Sequence, residues 1–232
     1  PNLNEAVMIG DTGKFFHVPN GALEPERSDT FELLARGRYK GLTLGASSYV
    51  SLIDQVIKRV PTTWQGLSEV GGKPVVHNVN GASGMLWGVE GELALSLPRG
   101  FSAAANLSYT HGTELIPDAP DQPLTRIPPL FGGGRVRYDT PHWRGLHGYV
   151  ETFVRVAARQ DRLSAEDEKD VRIPEGGTPG WWTWNLRGGL WIAEQISLQL
   201  SLENLLDRRY KYHGSGLYSP GVNATASLSA TL

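Results

Sequence analysis

Near its C-terminus the chain alternates without a break between apolar and polar side chains, and that period limits what it can fold into. Ile196, Leu198, Leu200 and Leu202 occupy one parity; Ser197, Gln199, Ser201 and Glu203 occupy the other. After a Gly/Pro-marked connection, Val222, Ala224, Ala226, Leu228, Ala230 and Leu232 oppose Asn223, Thr225, Ser227, Ser229 and Thr231. A period of two puts successive side chains on opposite faces of a strand, so each stretch is predicted to be a strand with one apolar and one polar face. The same pattern recurs along nearly the whole chain, as in the wall of a transmembrane β-barrel. No apolar run approaches the ~18 residues that a membrane helix needs.

About nine strands are predicted. Alternation starts near Thr30, with Phe31, Leu33, Ala35 and Tyr39 on the apolar side. It resumes after Lys40-Gly41 through Leu42, Leu44 and Leu52. It returns at Met85, Trp87, Val89, Leu93 and Leu95, then at Phe101, Ala103, Ala105 and Leu107. Later strands carry Val136 and Tyr138, then Val150, Val154 and Val156, then Trp182, Trp184, Leu186, Leu190 and Ile192. Residues 61–76, 112–129 (with five prolines) and 161–180 read as long loops, with a fourth near residue 217. Short turns are predicted near residues 40, 98, 142 and 194. Short turns alternating with long loops match the periplasmic and outer sides of an outer-membrane barrel, which would place the last residue in the periplasm.

A soluble β-sandwich also alternates, and it stays open as a second reading. Arg and Glu recur on one face only, Trp87, Trp182 and Trp184 fall on the apolar face, and most strands reach the ~9–11 residues of a spanning strand. All three features favour the membrane. Nine strands would leave two unpaired edges, and single-chain bacterial barrels have even strand numbers. The chain is therefore expected to be an arc of a larger barrel, and its start at Pro1 without a leader fits a piece of a longer product. A small self-contained barrel, enzyme or adhesin, is the remaining alternative. A net charge of -2 with no Lys/Arg block gives no sign of a nucleic-acid partner. Without cysteines there is no disulfide framework and no Cys-based metal site.

Four segments resemble the C-terminal part of TonB-dependent outer-membrane receptors. Pro1-Asn2-Leu3-Asn4-Glu5 is similar to the end of the family's FRAPNLNE-type segment. The stretch from Leu23-Glu24-Pro25-Glu26 to Glu32-Leu33 resembles its approach to a strand, and Arg126-Ile127-Pro128-Pro129 its RIPP segment. Glu203-Asn204-Leu205-Leu206-Asp207-Arg208-Arg209-Tyr210 resembles the ENLFDRRY near the family's C-terminus. The resemblance implies the last strands of a roughly 22-stranded barrel. It also implies an N-terminal plug and further strands outside this chain, energisation through TonB, and a place in the outer membrane of a Gram-negative bacterium. The expected function is uptake of a scarce nutrient rather than catalysis, with a ferric siderophore ahead of cobalamin, haem or a sugar. No cofactor is expected. Leu232 departs from the family's usual terminal aromatic residue.

Candidate ligand contacts are the aromatic, His and Arg residues of the outer loops and upper wall: Phe15, Phe16, His17, Trp64, His77, His111, Arg126, Tyr212, His213 and Tyr218. Aromatics would stack on a flat chelate or corrin, and Arg would pair with carboxylates. Asn204, Leu205, Asp207, Arg208, Arg209 and Tyr210 are given a structural role, because Asn204 and Asp207 break the alternation at a strand end. Arg135, Arg137, Arg155, Arg159 and Arg187, with Glu90, Glu92, Glu151 and Glu203, are predicted to face the lumen. The six histidines show no metal-ligand spacing. His213-Gly214-Ser215 lacks the orienting acid of a hydrolase.

Overall fold

The computed structural model describes residues 6–116, 120–193 and 195–231. The opening motif at residues 1–5, Glu194 of the last short turn, and Leu232 lie outside the described residues. Thirteen strands occur among the described residues. They are β1 (Gly10–Asp11), β2 (Phe16–Val18), β3 (Arg27–Tyr39), β4 (Leu42–Pro61), β5 (Glu69–Val70), β6 (Lys73–Ser96) and β7 (Phe101–Leu115). There follow β8 (Gln122–Pro123), β9 (Phe131–Asp139), β10 (Leu146–Ala157), β11 (Trp181–Ile192), β12 (Ile196–Glu203) and β13 (Asn223–Ala230). Nine of them are long, and β1, β2, β5 and β8 have two or three residues each.

The chain divides into two compact units. One comprises Pro1–Phe31, Val50–Leu86 and Gly112–Leu124. In it β1 pairs antiparallel with β2, and β2 lies parallel to β6 with His17 opposite Val76. The other comprises Glu32–Tyr49, Trp87–His111 and Thr125–Leu232. Its sheet runs β3-β4-β6-β7-β9-β10-β11-β12-β13. The pairs from β7 and β9 through β12 and β13 are antiparallel. Among the described residues β3 pairs only with β4, and β13 only with β12. This sheet has two free edges, not the closed ring of a self-contained barrel.

In the second unit the inside-outside rule is inverted. Val150, Val154, Trp182, Trp184, Leu198 and Leu200 are exposed along one face. Glu151, Thr183 and Asn185, of opposite parity, are buried. A sandwich buries its apolar parity; this sheet presents it outward, as a wall against lipid does. That overturns the sandwich alternative. Phe101 and Tyr138 meet at 4.8 Å near one end of the apolar face. Trp182 and Trp184 lie near the other, and Trp184 donates its indole N–H to Thr152 Oγ1 at 2.7 Å. Such pairs of aromatic bands mark membrane interfaces.

The short turns fall where predicted. Lys40 and Gly41 take positive φ values of 44° and 84°, and a 3-10 turn covers Pro98–Gly100. The long loops differ from expectation. β4 reaches Pro61 and β6 starts at Lys73, so residues 61–76 are mostly a hairpin end closed by β5. Likewise β7 continues to Leu115 and pairs with β8, where the loop was expected to begin. Prolines sit there at strand ends, where the missing N–H costs no ladder bond. The 161–180 loop contains a helix, α1 (Ala165–Lys169), started by a reciprocal capping box between Ser164 and Asp167.

Candidate functional site

Strand parity carries the charged side chains to the polar face of the second unit. Glu151 on β10 lies directly opposite Arg187 on β11 and diagonally across from Arg135 on β9. Its carboxylate accepts from Arg135 Nη1 at 2.9 Å and Arg187 Nε at 2.7 Å. Glu151 is 0% exposed, whereas the two arginines are about half-buried. Two residues along, Phe153 lies 5.1 Å from the Arg187 guanidinium and 5.4 Å from that of Arg155. Further pairs continue the pattern: Arg36 with Glu92 at 2.9 Å, Arg155 with Glu203 at 3.5 Å, and Arg137 with Asp139. Arg36 and Glu92 meet across β4 because Gly45 lies between them; a Cβ there would be 2.5 Å from Glu92 Oε1. Glu90 accepts from Ser108 Oγ at 3.2 Å. Arg159 is a correction: it lies beyond the end of β10 and donates to the Gly176 carbonyl at 2.6 Å.

Glu151→Gln is expected to cost about 2 kcal/mol, because two guanidinium groups lose their shared carboxylate; their partial exposure keeps the loss below that of a fully buried pair. Thermal unfolding of the protein in detergent measures it. An unchanged midpoint would remove the triad as a structural element.

Above this wall the loops converge. Asp167, 1% exposed, accepts from the backbone N–H of Arg126 at 3.2 Å. Asp170 is shared between the guanidinium groups of Arg126 and Arg172. The Arg172 hydrogen bonds hold the Asp170 carboxyl well below the usual carboxylate range. Lys211 Nζ donates to the Arg172 carbonyl at 2.5 Å, and Gln160 Nε2 to the Ile127 carbonyl at 2.7 Å. Trp181 packs on Tyr210 at 4.2 Å and on Tyr212 at 5.1 Å. Wall and loops together line a cavity of about 900 Å³. Its polar lining includes Arg126, Arg135, Arg155, Arg187, Glu92, Glu151 and His213; its aromatic lining is Phe131, Phe153, Trp181 and Tyr212. Glycines 132–134 leave its floor free of side chains. Four guanidinium groups against two carboxylates give the lining an excess of positive charge, which a confined low-dielectric space focuses.

His213 Nδ1 shares a hydrogen bond with Thr178 Oγ1 at 3.0 Å. Its Nε2 is buried without a partner among the described residues. Burial pushes this imidazole below its ordinary pKa of 6.5, Asp167 opposing the shift and Arg126 adding to it. Below pH 6.5 the unfolded chain takes a proton that the folded loop resists, so loop stability is complete above that value and falls as pH drops toward the lowered pKa. Asp170 stays ionised throughout this window. Proteolysis within residues 204–222 should therefore accelerate between pH 7 and pH 5, and His213→Gln should flatten the profile. A pH-independent rate in the unaltered protein would refute the assignment.

The predicted contact residues do not form one group. Phe15, Phe16, His17, Trp64 and His77 gather in the first unit. Phe16 and Trp64 are 6.4 Å apart, Phe15 lies 6.4 Å from His17 and 5.1 Å from the Arg59 guanidinium, and His77 pairs with Val18 on β2. In the second unit Arg126, Tyr212 and His213 line the cavity. His111 stacks on Trp87 at 5.4 Å and takes part in a 3.2 Å hydrogen bond with Tyr109. Tyr218 lies under Arg209 at 4.1 Å. Asn204 is 3% exposed and closes the corner after β12, and Asp207 Oδ1 accepts from the Val222 N–H at 3.1 Å. Ser215 Oγ donates to the Leu217 carbonyl, away from any hydrolase pairing with His213. Sequence reasoning missed Phe153, Thr178, Trp181, Asp167 and Asp170. Trp181 was open to a parity argument, since it is opposite in parity to Trp182 and Trp184. No local signal marks Thr178. Among the described residues there is no cluster of His, Asp and Glu able to hold a metal ion.

Comparison with known proteins agrees with this architecture. Residues 1–205 match the family model described as TonB dependent receptor-like, beta-barrel. The haemoglobin-haptoglobin utilization protein B of Neisseria meningitidis serogroup C is 22% identical over 232 residues, which are 90% of this chain and 28% of that protein. The copper transporter OprC superposes with a TM-score of 0.75 at 18% identity, covering 99% of this chain and 35% of its own. The FrpB iron transporter from Neisseria meningitidis, F3-3 variant, gives 0.70 at 13% identity, covering 93% and 33%. The siderophore receptor PirA from Pseudomonas aeruginosa gives 0.61 at 17%, covering 99% and 37%. The chain thus spans about a third of the proteins it matches.

Proposed function

The chain belongs to the TonB-dependent receptor β-barrel family, and from that premise we propose that it forms the C-terminal strands of an outer-membrane receptor that imports a ferric siderophore. The cavity carries this reading: a lining with more guanidinium than carboxylate, set among Phe153, Trp181 and Tyr212, suits an anionic chelate with flat aromatic donors. The iron and siderophore receptors among its structural relatives support the same class. In this reading the remaining strands complete a barrel of roughly 22 strands, a plug fills its lumen, and TonB energises uptake across the outer membrane of a Gram-negative cell. The chain acts as a receptor and performs no catalysis.

Haem is a second reading, favoured by the haemoglobin-haptoglobin relative and by the presence of His213 in the cavity lining. Growth with a single iron source separates the two. Deleting the receptor gene should abolish growth on a ferric siderophore and spare growth on haemin, and deleting TonB should reproduce the loss. Growth lost on haemin alone would replace the first reading with the second. Growth unaffected on both would reject iron uptake.

A further inference from the structure

One of the four arginines lining the cavity is held by an acid that does not depend on it. Asp170, directly after α1, accepts from the guanidinium of Arg126. The same carboxylate accepts from Arg172 Nε at 2.8 Å, from Arg172 Nη2 at 2.7 Å and from the Arg172 backbone N–H at 3.0 Å. Arg126 lines the cavity and Arg172 does not. Lys211 Nζ holds the Arg172 carbonyl. Arg172 is thus the fixed, two-pronged partner of Asp170, and Arg126 is the additional one.

The other three lining arginines lack this freedom. Arg135 and Arg187 share Glu151, which is 0% exposed, so withdrawing either would leave a buried carboxylate short of a partner. Arg155 pairs with Glu203 at 3.5 Å, and no second cation pairs with that carboxylate among the described residues. Arg126, in contrast, is pinned only at its backbone. It takes a φ of 62°, and its N–H donates to the buried Asp167 carboxylate at 3.2 Å. Its Nε lies 3.9 Å from Asp167 Oδ1, and 45% of its side chain is exposed. Gly214 borders the stem without a side chain; a Cβ there would stand 3.1 Å from Arg126 Cδ. The guanidinium can therefore turn about its side-chain torsions alone, while Arg172 keeps Asp170 compensated.

We propose that Arg126 exchanges Asp170 for an anionic oxygen of the bound ligand, and that Asp170 sets the receptor's affinity by competing for that guanidinium. The exchange moves one ion pair from protein to ligand and leaves no carboxylate bare. The inference rests on the anionic-ligand reading of the cavity and holds for a catecholate oxygen or a haem propionate alike.

The test titrates the full-length receptor with a ferric tris-catecholate and with haemin, and the probe that binds identifies the source of the oxygen. R126Q should weaken that probe at least about tenfold. D170N should tighten it about fivefold, because it removes the competing charge yet keeps an oxygen for the Arg172 N–H. D161N, which removes the same charge from the same loop, should leave the affinity unchanged. R172Q should weaken the probe about fivefold, because Asp170 then holds Arg126 alone, and should have no effect in the D170N background. Unchanged or weakened affinity in D170N would overturn the exchange. So would equal tightening in D161N, or an R172Q loss that persists beside D170N. Binding of neither probe to the unaltered receptor would reject the proposed function and the exchange with it, whereas the other adverse outcomes reject the exchange alone.

Discussion

Leu200→Arg is expected to destabilise the protein by about 3 kcal/mol, while Gln199→Arg, one residue away, should cost less than about 1 kcal/mol. Leu200 lies at the middle of β12, opposite Gly188 on β11 and Ala226 on β13. Those small neighbours leave it 52% exposed on the apolar face. In a soluble protein an exposed Leu is the safest place for an Arg. In a membrane wall the same position faces hydrocarbon, and the guanidinium must be dehydrated or must distort the bilayer to reach water. Gln199 points to the other face, opposite Gly189 on β11 and Ser227 on β13, and shares the parity that carries Arg187 and Glu151, where charge is already accommodated. Guanidinium unfolding of the receptor in lipid vesicles, followed by tryptophan fluorescence, gives both values. Equal costs for the two substitutions would mean that the exposed apolar face does not meet lipid, and the membrane reading would fail with it.

The same parity explains how much of the fold was legible in the sequence. Alternation assigns a side chain to a face without knowledge of its partner, so the nine long strands and their apolar faces follow directly. The lumen-facing ion pairs follow too, since Arg135, Glu151 and Arg187 share a parity and lie on consecutive strands. Loop boundaries were less legible because proline was read as a terminator, whereas Pro61 and Pro74 sit at ladder ends that tolerate it. The short helix α1 had a local signal in Ser164 and Asp167, but five residues carry too little periodicity to register. The grouping of the site residues had no local signal at all. Arg126 meets Asp170 across 44 residues, and His213 meets Thr178 across 35. Such contacts depend on how long loops fold over a strand end, and a two-residue period does not reach that far.

Asn204 is where local chemistry and long-range placement meet, and its replacement should be the second large loss. The residue has φ 54°, a left-handed backbone that Asn adopts more readily than most. Its Nδ2 donates to the carbonyls of Arg208 and Pro220, its Oδ1 accepts from the Arg208 N–H, and its own N–H donates to Asn185 Oδ1 at 2.8 Å. One buried amide thus joins both ends of the 204–222 loop to β11. Asn204→Ala removes three of these bonds, strands two carbonyls and an N–H in a buried corner, and keeps an unfavourable φ; the expected cost is about 3 kcal/mol. Asn204→Gly relieves the backbone and should recover about 1 kcal/mol of that. Asn204→Asp keeps the acceptor but turns a carboxylate toward two carbonyls, and should be worse than Ala. The order Gly, Ala, Asp in increasing loss is the diagnostic, because simple removal of side-chain volume would rank Gly last. Since Asn204 grips Arg208 at both backbone atoms, the same variants should loosen the segment carrying Tyr210, Tyr212 and His213, and proteolysis within residues 204–222 should follow the same order. If that order fails while unfolding energies follow it, the corner stabilises the wall without positioning the loop, and the cavity rim must be held by the Arg126–Asp170 clasp instead.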